Sequence, residues 1–208
     1  MIEFELKYKL TNREVDLSMF EKIRTIKQTD DYFDTSEHEL IKVGNFLRVR
    51  NGQRLEFKID IQGADHLFVK EKNFEISEVN SNNEDLKRIC QFLKLKDGSS
   101  YFDINSFLKS FSFIQISTIR KIRNTYKVNE RFTVSIDEVE DLGVFLEAEF
   151  MLEDDSEFKK NEIREIIEST LIRNKLIRKE DAFMKVGYVE LYLYEHNRPV
   201  YEKGIFKK

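Results

Sequence analysis

Residues 2–10 alternate: Ile2, Phe4, Leu6, Tyr8 and Leu10 are apolar, and Glu3, Glu5, Lys7 and Lys9 between them are charged. A period of two predicts a strand with one apolar face. Leu17, Phe20 and Ile23 then recur at helical spacing and predict an amphipathic helix over 13–26. The next stretch, TDDYFDT, is too short and aromatic for a helix. FLRVRNGQRLEFKID has the form of a hairpin: strand 46–50, the turn dipeptide Asn51-Gly52, and strand 54–60. Its alternation puts Arg48 with Arg50 on one face, and Glu56 with Lys58 on one face of the partner strand.

A further strand is expected over 67–76, and a helix over 83–95 that carries Leu86, Ile89, Cys90 and Leu93 behind a cap at Asn82 or Asn83. The aromatic stretch 99–117 fits no single period and is left unassigned. From 118 onward the strand pattern resumes. It aligns Lys121, Arg123 and Thr125, then Thr133, Ser135 and Asp137, then Phe145, Glu147 and Glu149. Ile163, Ile166, Ile167 and Leu171 predict a helix over 158–172, and VGYVELYLY is expected to close the chain as a strand. About eight strands and three helices, mostly joined by short turns, predict an α+β fold built on a mainly antiparallel sheet. The element order also hints at two similar halves, without a residue-level repeat.

A chain of 208 residues with one proline and seven glycines shows no linker, so a single domain over 1–208 is expected. Charged residues make up 36%, against about 25% in an average soluble domain, so charge needs a place besides the outer surface. The net charge of −4 argues against a general polyanion binder, and no nucleic-acid partner is expected. The single Cys90 cannot form a disulfide within the chain and suits a reducing compartment. The N-terminus lacks the apolar run of a signal peptide, and no stretch has the roughly 18 apolar residues of a membrane span. A cytoplasmic protein without a membrane partner is expected.

The charged strand faces carry Glu3, Glu5, Lys7, Lys9, Arg48, Arg50, Glu56, Lys58, Glu75, Lys121, Arg123, Asp137, Glu147 and Glu149. For any one strand, a solvated outer face explains such charges better than a site does. The conjunction is harder to explain that way, because the carboxylate spacing of Glu3 and Glu5 returns at Glu147 and Glu149 with basic pairs between. If the sheet closes into a closed or nearly closed eight-stranded antiparallel barrel with helices packed outside, these faces line a polar tunnel. Unpaired charge there would cost several kcal/mol per ion, so water, a divalent cation and a polyanion must complete it. A triphosphate with Mg²⁺ or Mn²⁺ meets that demand: carboxylates offer hard oxygens to the metal, and lysine and arginine hold phosphate oxygens.

Glu3-Phe4-Glu5-Leu6-Lys7 resembles the ExExK signature of the CYTH superfamily, the triphosphate tunnel metalloenzymes. The likeness continues in order through TDDYFDT, FLRVR, LEFK, IRKIRNTYKV, SIDEVEDLGVFLEAEF and GYVELYLY, and looks closest to the class IV adenylyl cyclases. The resemblance implies a metal-dependent enzyme acting on a triphosphate-bearing small molecule. It implies Glu3, Glu5, Glu147 and Glu149, with Asp137 nearby, as metal carboxylates. Lys9, Arg48, Arg50, Lys121 and Arg123 would bind substrate, and Lys185 is a candidate for the same cavity. Lys7, Lys58 and Glu75 would serve catalysis, Lys7 and Lys58 also gripping the triphosphate, and a homodimer is plausible on the same ground. Two departures bear on substrate identity: Asn73 stands where an acid is usual in Glu71-Lys72-Asn73-Phe74-Glu75, and Ile59-Asp60 replaces the common glycine and proline.

His38, His66 and His196 lack metal-ligand spacing, and no phosphate-binding glycine loop is present. Tyr32 and Phe33 could stack a base, although in a chain with 18 phenylalanines core packing explains them better. Three functions remain open at this point: a cyclase converting ATP to cyclic AMP and pyrophosphate, a triphosphatase, and a non-catalytic polyphosphate or nucleotide binder.

Overall fold

The computed structural model describes residues 2–11, 15–60, 68–95, 100–152 and 160–205. In chain order these form β1 (Ile2–Lys9), β2 (Glu21–Asp34), β3 (Phe46–Arg50), β4 (Arg54–Asp60), β5 (Phe68–Glu75), α1 (Glu84–Phe92), α2 (Ile104–Ser110) and β6 (Ile114–Lys127). β7 (Phe132–Val139), β8 (Gly143–Leu152), α3 (Lys160–Arg173), β9 (Ala182–Met184), α4 (Tyr188–His196) and α5 (Arg198–Tyr201) follow. The strands pair in the order β5-β4-β3-β2-β6-β7-β8-β1-β9, and β1 also pairs β5. The α+β class with a large antiparallel sheet holds, with nine strands among the described residues where about eight were expected. No helix among the described residues is long and apolar enough to cross a membrane.

Contacts divide the chain into two compact units, and β2 and β6 each contribute to both. The first unit comprises 1–28, 65–70 and 120–188. In it β1 pairs β8 from Ile2↔Leu152 to Lys9↔Phe145, and β7 pairs β8 from Phe132↔Phe150 to Val139↔Gly143. Phe4, Leu6, Tyr8, Val134, Leu146, Ala148 and Leu152 fall on the apolar face and are buried with Ile163, Ile167 and Leu171 of α3. That stripe runs at i, i+4, i+8, so one face of α3 covers the sheet. Ile166, expected in the stripe, is 41% exposed.

The second unit comprises 29–64, 71–119 and 189–208. The β3–β4 hairpin lies where the sequence places it, in register from Phe46↔Lys58 to Arg50↔Arg54. Its turn holds Asn51 at φ 53° and Gly52 at φ 68°, the left-handed conformations that Asn and Gly adopt most readily. Leu47, Val49, Leu55, Phe57 and Ile59 pack against Leu86, Ile89 and Cys90 of α1 and Ile104 and Phe107 of α2. Asn83 caps α1, accepting from the backbone N–H groups of Asp85 and Leu86. The unassigned stretch 99–117 resolves into α2 and the start of β6: Asp103 accepts from Ser106 N at 2.7 Å in a capping box that starts the helix. Its aromatics, Tyr101, Phe107, Phe111 and Phe113, form one cluster.

Two expectations are corrected. No helix spans the described part of 13–26, since 15–20 form a turn and β2 starts at Glu21, while residues 12–14 lie outside the described residues. Asp16 accepts from Ser18 N at 3.0 Å, a local bond that competes with helix, and β-branched Ile23, Thr25 and Ile26 favour the strand that follows. The closing stretch is helix α4 rather than a strand. Its apolar residues are nearly continuous, a pattern that suits a buried helix as well as a strand; Tyr188, Val189 and Leu193 are buried. The strand near this point is the short β9, which pairs β1 through Tyr8↔Phe183.

Candidate active site

In the first unit the face opposite the apolar core is charged. Register sets Glu5 against Glu149 and Lys7 against Glu147 across β1 and β8, Ser135 against Glu147 across β7 and β8, and Arg123 against Asp137 across β6 and β7. Arg123 and Glu149, 26 positions apart, meet because each strand shows alternate residues to the same side. Arg123 is the hub. Its Nε donates to Asp137 Oδ1 at 2.7 Å, its Nη1 to Glu149 Oε1 at 3.1 Å, and its Nη2 to Asp137 Oδ2 and to Glu147. Lys7 pairs with Glu5 and lies 3.2 Å from Glu147 Oε2, and Lys121 donates to Asp137 Oδ2 at 2.8 Å.

The sequence offered no sign of Tyr188 as part of this cluster. Its hydroxyl donates to Asp137 Oδ2 at 2.9 Å, and its ring centre lies 4.4 Å from the Lys7 ammonium and 4.8 Å from that of Lys121. Reading GYVELYLY as a strand hid which residue its helix turns inward.

Burial and neighbours shape each titration. Burial opposes charge on Glu147, yet Arg123, Lys7 and Lys121 hold its carboxyl well below the usual range. Burial likewise opposes charge on Asp137, and Lys121 and Arg123 keep its pKa low. Lys7 is disfavoured by burial, but Glu5 and Glu147 raise its pKa. Lys121 goes the other way: burial and then the neighbouring Arg123 outweigh Asp137 and Glu147 and lower it. The same face therefore carries one ammonium locked in its charged form and one held less firmly.

The second unit bears a separate ionic cluster. Arg48 donates through Nε to Glu56 Oε2 at 2.6 Å and through Nη1 to the Tyr32 hydroxyl at 3.3 Å. Arg50 grips Asp30 with two bonds, of 2.8 and 3.1 Å, and Arg54 reaches Glu56. Asp30 and Glu56 are each 2% exposed, and Arg48, Arg50 and Arg54 are their counter-charges. Lys58 shares this face with Glu56, as the alternation predicts.

The structure thus gathers Glu5, Lys7, Lys121, Arg123, Asp137, Glu147 and Glu149 in one unit, and Arg48, Arg50 and Lys58 in the other. Glu75 lies at the end of β5 with its side chain 62% exposed, 3.9 Å from Arg54. Lys9 stands over the Phe145 ring at 5.8 Å. Lys185 is exposed, one residue beyond β9. Glu3 is placed in β1 opposite Met151, with its side chain outside what is described. Asp30 and Tyr32, within TDDYFDT, stand opposite Arg50 and Arg48 across β2 and β3; the sequence offered Tyr32 only as a base-stacking or core aromatic and gave Asp30 no role of its own.

The acids Glu5, Glu147 and Glu149 supply only oxygen donors, which fits a hard cation such as Mg²⁺ or Mn²⁺. Among the described residues no three acidic, histidine or cysteine side chains converge on one point. Lys7 and Arg123 bridge them as counter-charges.

A model of the CYTH domain matches residues 1–178. The chain belongs to the CYTH family. It is 30% identical over 198 residues to a protein of Methanocaldococcus jannaschii named as a putative adenylate cyclase, covering 92% of this chain and 98% of that one. A solved structure from Pyrococcus horikoshii, the PH1819 protein, is 25% identical with a TM-score of 0.62 and covers 93% and 99% of the two chains. A Hippeastrum adenylyl cyclase homologue whose structure is described as revealing a dominant triphosphatase activity shares the fold at 18% identity. Its TM-score is 0.59, with coverage of 93% and 94%. CYTH proteins are adenylyl cyclases or triphosphatases, metal-dependent enzymes acting on triphosphates, and this chain is an enzyme of that kind. The CYTH match ends before Tyr188, so the tyrosine that contacts both lysines lies outside it.

Proposed function

We propose that this CYTH protein is a divalent-metal-dependent adenylyl cyclase of the class IV type, converting ATP to cyclic AMP and pyrophosphate. The observation that carries the reading is the mixed face of the first unit, where acids and bases alternate within hydrogen-bonding reach around Arg123. Simple anion capture would need the bases alone. The relative at 30% identity supports the cyclase branch by its name.

Glu5, Glu147 and Glu149, with Glu3 as the fourth candidate, would hold Mg²⁺ or Mn²⁺. When bound, that ion neutralises charge on phosphate oxygens and on the leaving pyrophosphate. Lys7 and Arg123 would exchange their glutamate partners for phosphate oxygens where a metal holds those acids, and Lys121 would add positive charge from beside Asp137. Asp137, with both oxygens already engaged by Arg123, Lys121 and Tyr188, anchors the bases. Arg48, Arg50 and Lys58, the other basic candidates, belong to the second unit. In the reaction the ribose 3′-hydroxyl attacks the α-phosphorus, its proton passes to solvent water, the new P–O bond closes the ring, and the bond to the β-phosphate breaks to release pyrophosphate.

Product analysis tests this. Purified protein is incubated with ATP, inorganic triphosphate and thiamine triphosphate, each with Mg²⁺ or Mn²⁺. Cyclic AMP with pyrophosphate is expected from ATP. Orthophosphate release in its place would make the protein a triphosphatase, and turnover of none would leave a binding module. Glu147→Ala and Glu5→Ala are expected to lower metal-dependent turnover by about 100-fold or more, and full activity in both would remove the metal role. Lys121→Ala is expected to act mainly by raising KM.

A further inference from the structure

Along β2 the even positions Gln28, Asp30, Tyr32 and Asp34 are the buried ones. Thr25 donates to the Asn124 side chain at 2.8 Å, so odd positions of β2 share a face with even positions of β6. Gln28 therefore lies on the other face, the one that carries Lys121, Arg123 and Thr125 within the first unit. It is 6% exposed, and its side-chain oxygen is buried with no hydrogen-bond partner among the described residues.

An unpaired buried amide oxygen is unfavourable, and native structures keep such atoms where something else completes them. The basic groups that share this face hold carboxylates, and neither bonds the Gln28 oxygen: Lys121 pairs with Asp137, and Arg123 with Asp137, Glu147 and Glu149. Phosphate oxygens cannot complete it either, because they too are acceptors. What Gln28 lacks is a donor, and in a triphosphate substrate donors belong to the organic part. We propose that Gln28 is a specificity residue, accepting a hydrogen bond from a hydroxyl or amino group on the organic part of the substrate, so that this chain selects a nucleoside-type triphosphate over inorganic triphosphate. The assignment rests on the proposed triphosphate chemistry of this face and names the substrate class it takes.

Calorimetric titration in Mg²⁺ with α,β-methylene ATP, whose methylene bridge blocks ring closure, and with inorganic triphosphate separates the two ideas. Gln28→Met, near in volume and without the acceptor, is expected to weaken nucleotide binding about 3- to 10-fold, the size of one hydrogen bond, and to change inorganic triphosphate by less than about 2-fold. Gln28→Glu keeps an acceptor and is expected to preserve the ratio of the two affinities while weakening both through added negative charge. Gln28→Ala, which makes room for water, serves if Gln28→Met fails to melt cooperatively, and is expected to show the same selective loss. Analogues lacking the 6-amino group or one ribose hydroxyl locate the donor: the analogue on which Gln28→Met has no effect lacks the partner group. Equal losses for both ligands, or none for either, would overturn the assignment alone. A wild-type chain that binds neither ligand would overturn the triphosphate reading and the assignment with it.

Discussion

Tyr188 shows how much one side chain can coordinate. Its hydroxyl donates to Asp137, and its ring centre lies 4.4 and 4.8 Å from the ammonium groups of Lys7 and Lys121. Burial, Glu147 and Asp137 push its phenol well above the ordinary range, so it remains a donor at any physiological pH. Tyr188→Phe keeps the ring and removes the bond to a charged acceptor, an expected loss of about 1.5–3 kcal/mol. Tyr188→Leu also removes the cation–π contacts and should lose roughly 2 kcal/mol more. Denaturant midpoints of the two variants measure the difference, and equal destabilisation would mean that the ring does nothing for the lysines. The identities of Glu5, Lys7, Lys121, Arg123, Glu147 and Glu149 were legible at this scale because alternation assigns each to a face. Tyr188 and Gln28 were not, since nothing local separates a tyrosine or glutamine that faces the site from one that packs elsewhere.

The best-read element is the β3–β4 hairpin. Its boundaries, turn and facing residues all follow from alternation around Asn51-Gly52. A Cβ added at Gly52 would meet no atom within 4 Å, so the cost of a side chain there is purely conformational. Gly52→Ala should lose about 1 kcal/mol from the left-handed backbone alone, seen as a lower thermal midpoint with KM unchanged. Asn83→Ala should cost about 1 kcal/mol by removing the cap of α1, while Asn82→Ala should cost little, which separates the two caps the sequence left open. The elements misread, 13–26 and the closing stretch, are those where apolar spacing fits more than one period. There the outcome was set by an Asp16–Ser18 turn in one case and by burial of a whole helix face in the other.

At the scale of the molecule, the buried acids link stability to pH. Asp137, Glu147 and Glu56 have folded pKa values below the ordinary carboxylate range, despite burial, because arginine and lysine surround them. The unfolded chain therefore takes up protons first as pH falls through about 4, so the stability these acids provide is present above that range and is lost on acidification toward their folded pKa values. Urea midpoints should fall steeply below about pH 5. Glu147→Gln should be less stable by about 3 kcal/mol at neutral pH, because Lys7 and Arg123 lose a buried partner, and its acid limb should be shallower. An unchanged limb would show that Glu147 is not among the titrating groups. The sequence alone determined the antiparallel α+β class, most strand positions, and the side-chain types that face the site, because a period of two is written residue by residue. Only the tertiary structure decided which charges neutralise which. Whether Lys7 meets Glu147, or Arg123 meets Glu149, depends on strand neighbours and register, and those are set by packing of both apolar cores across long separations that no local pattern encodes.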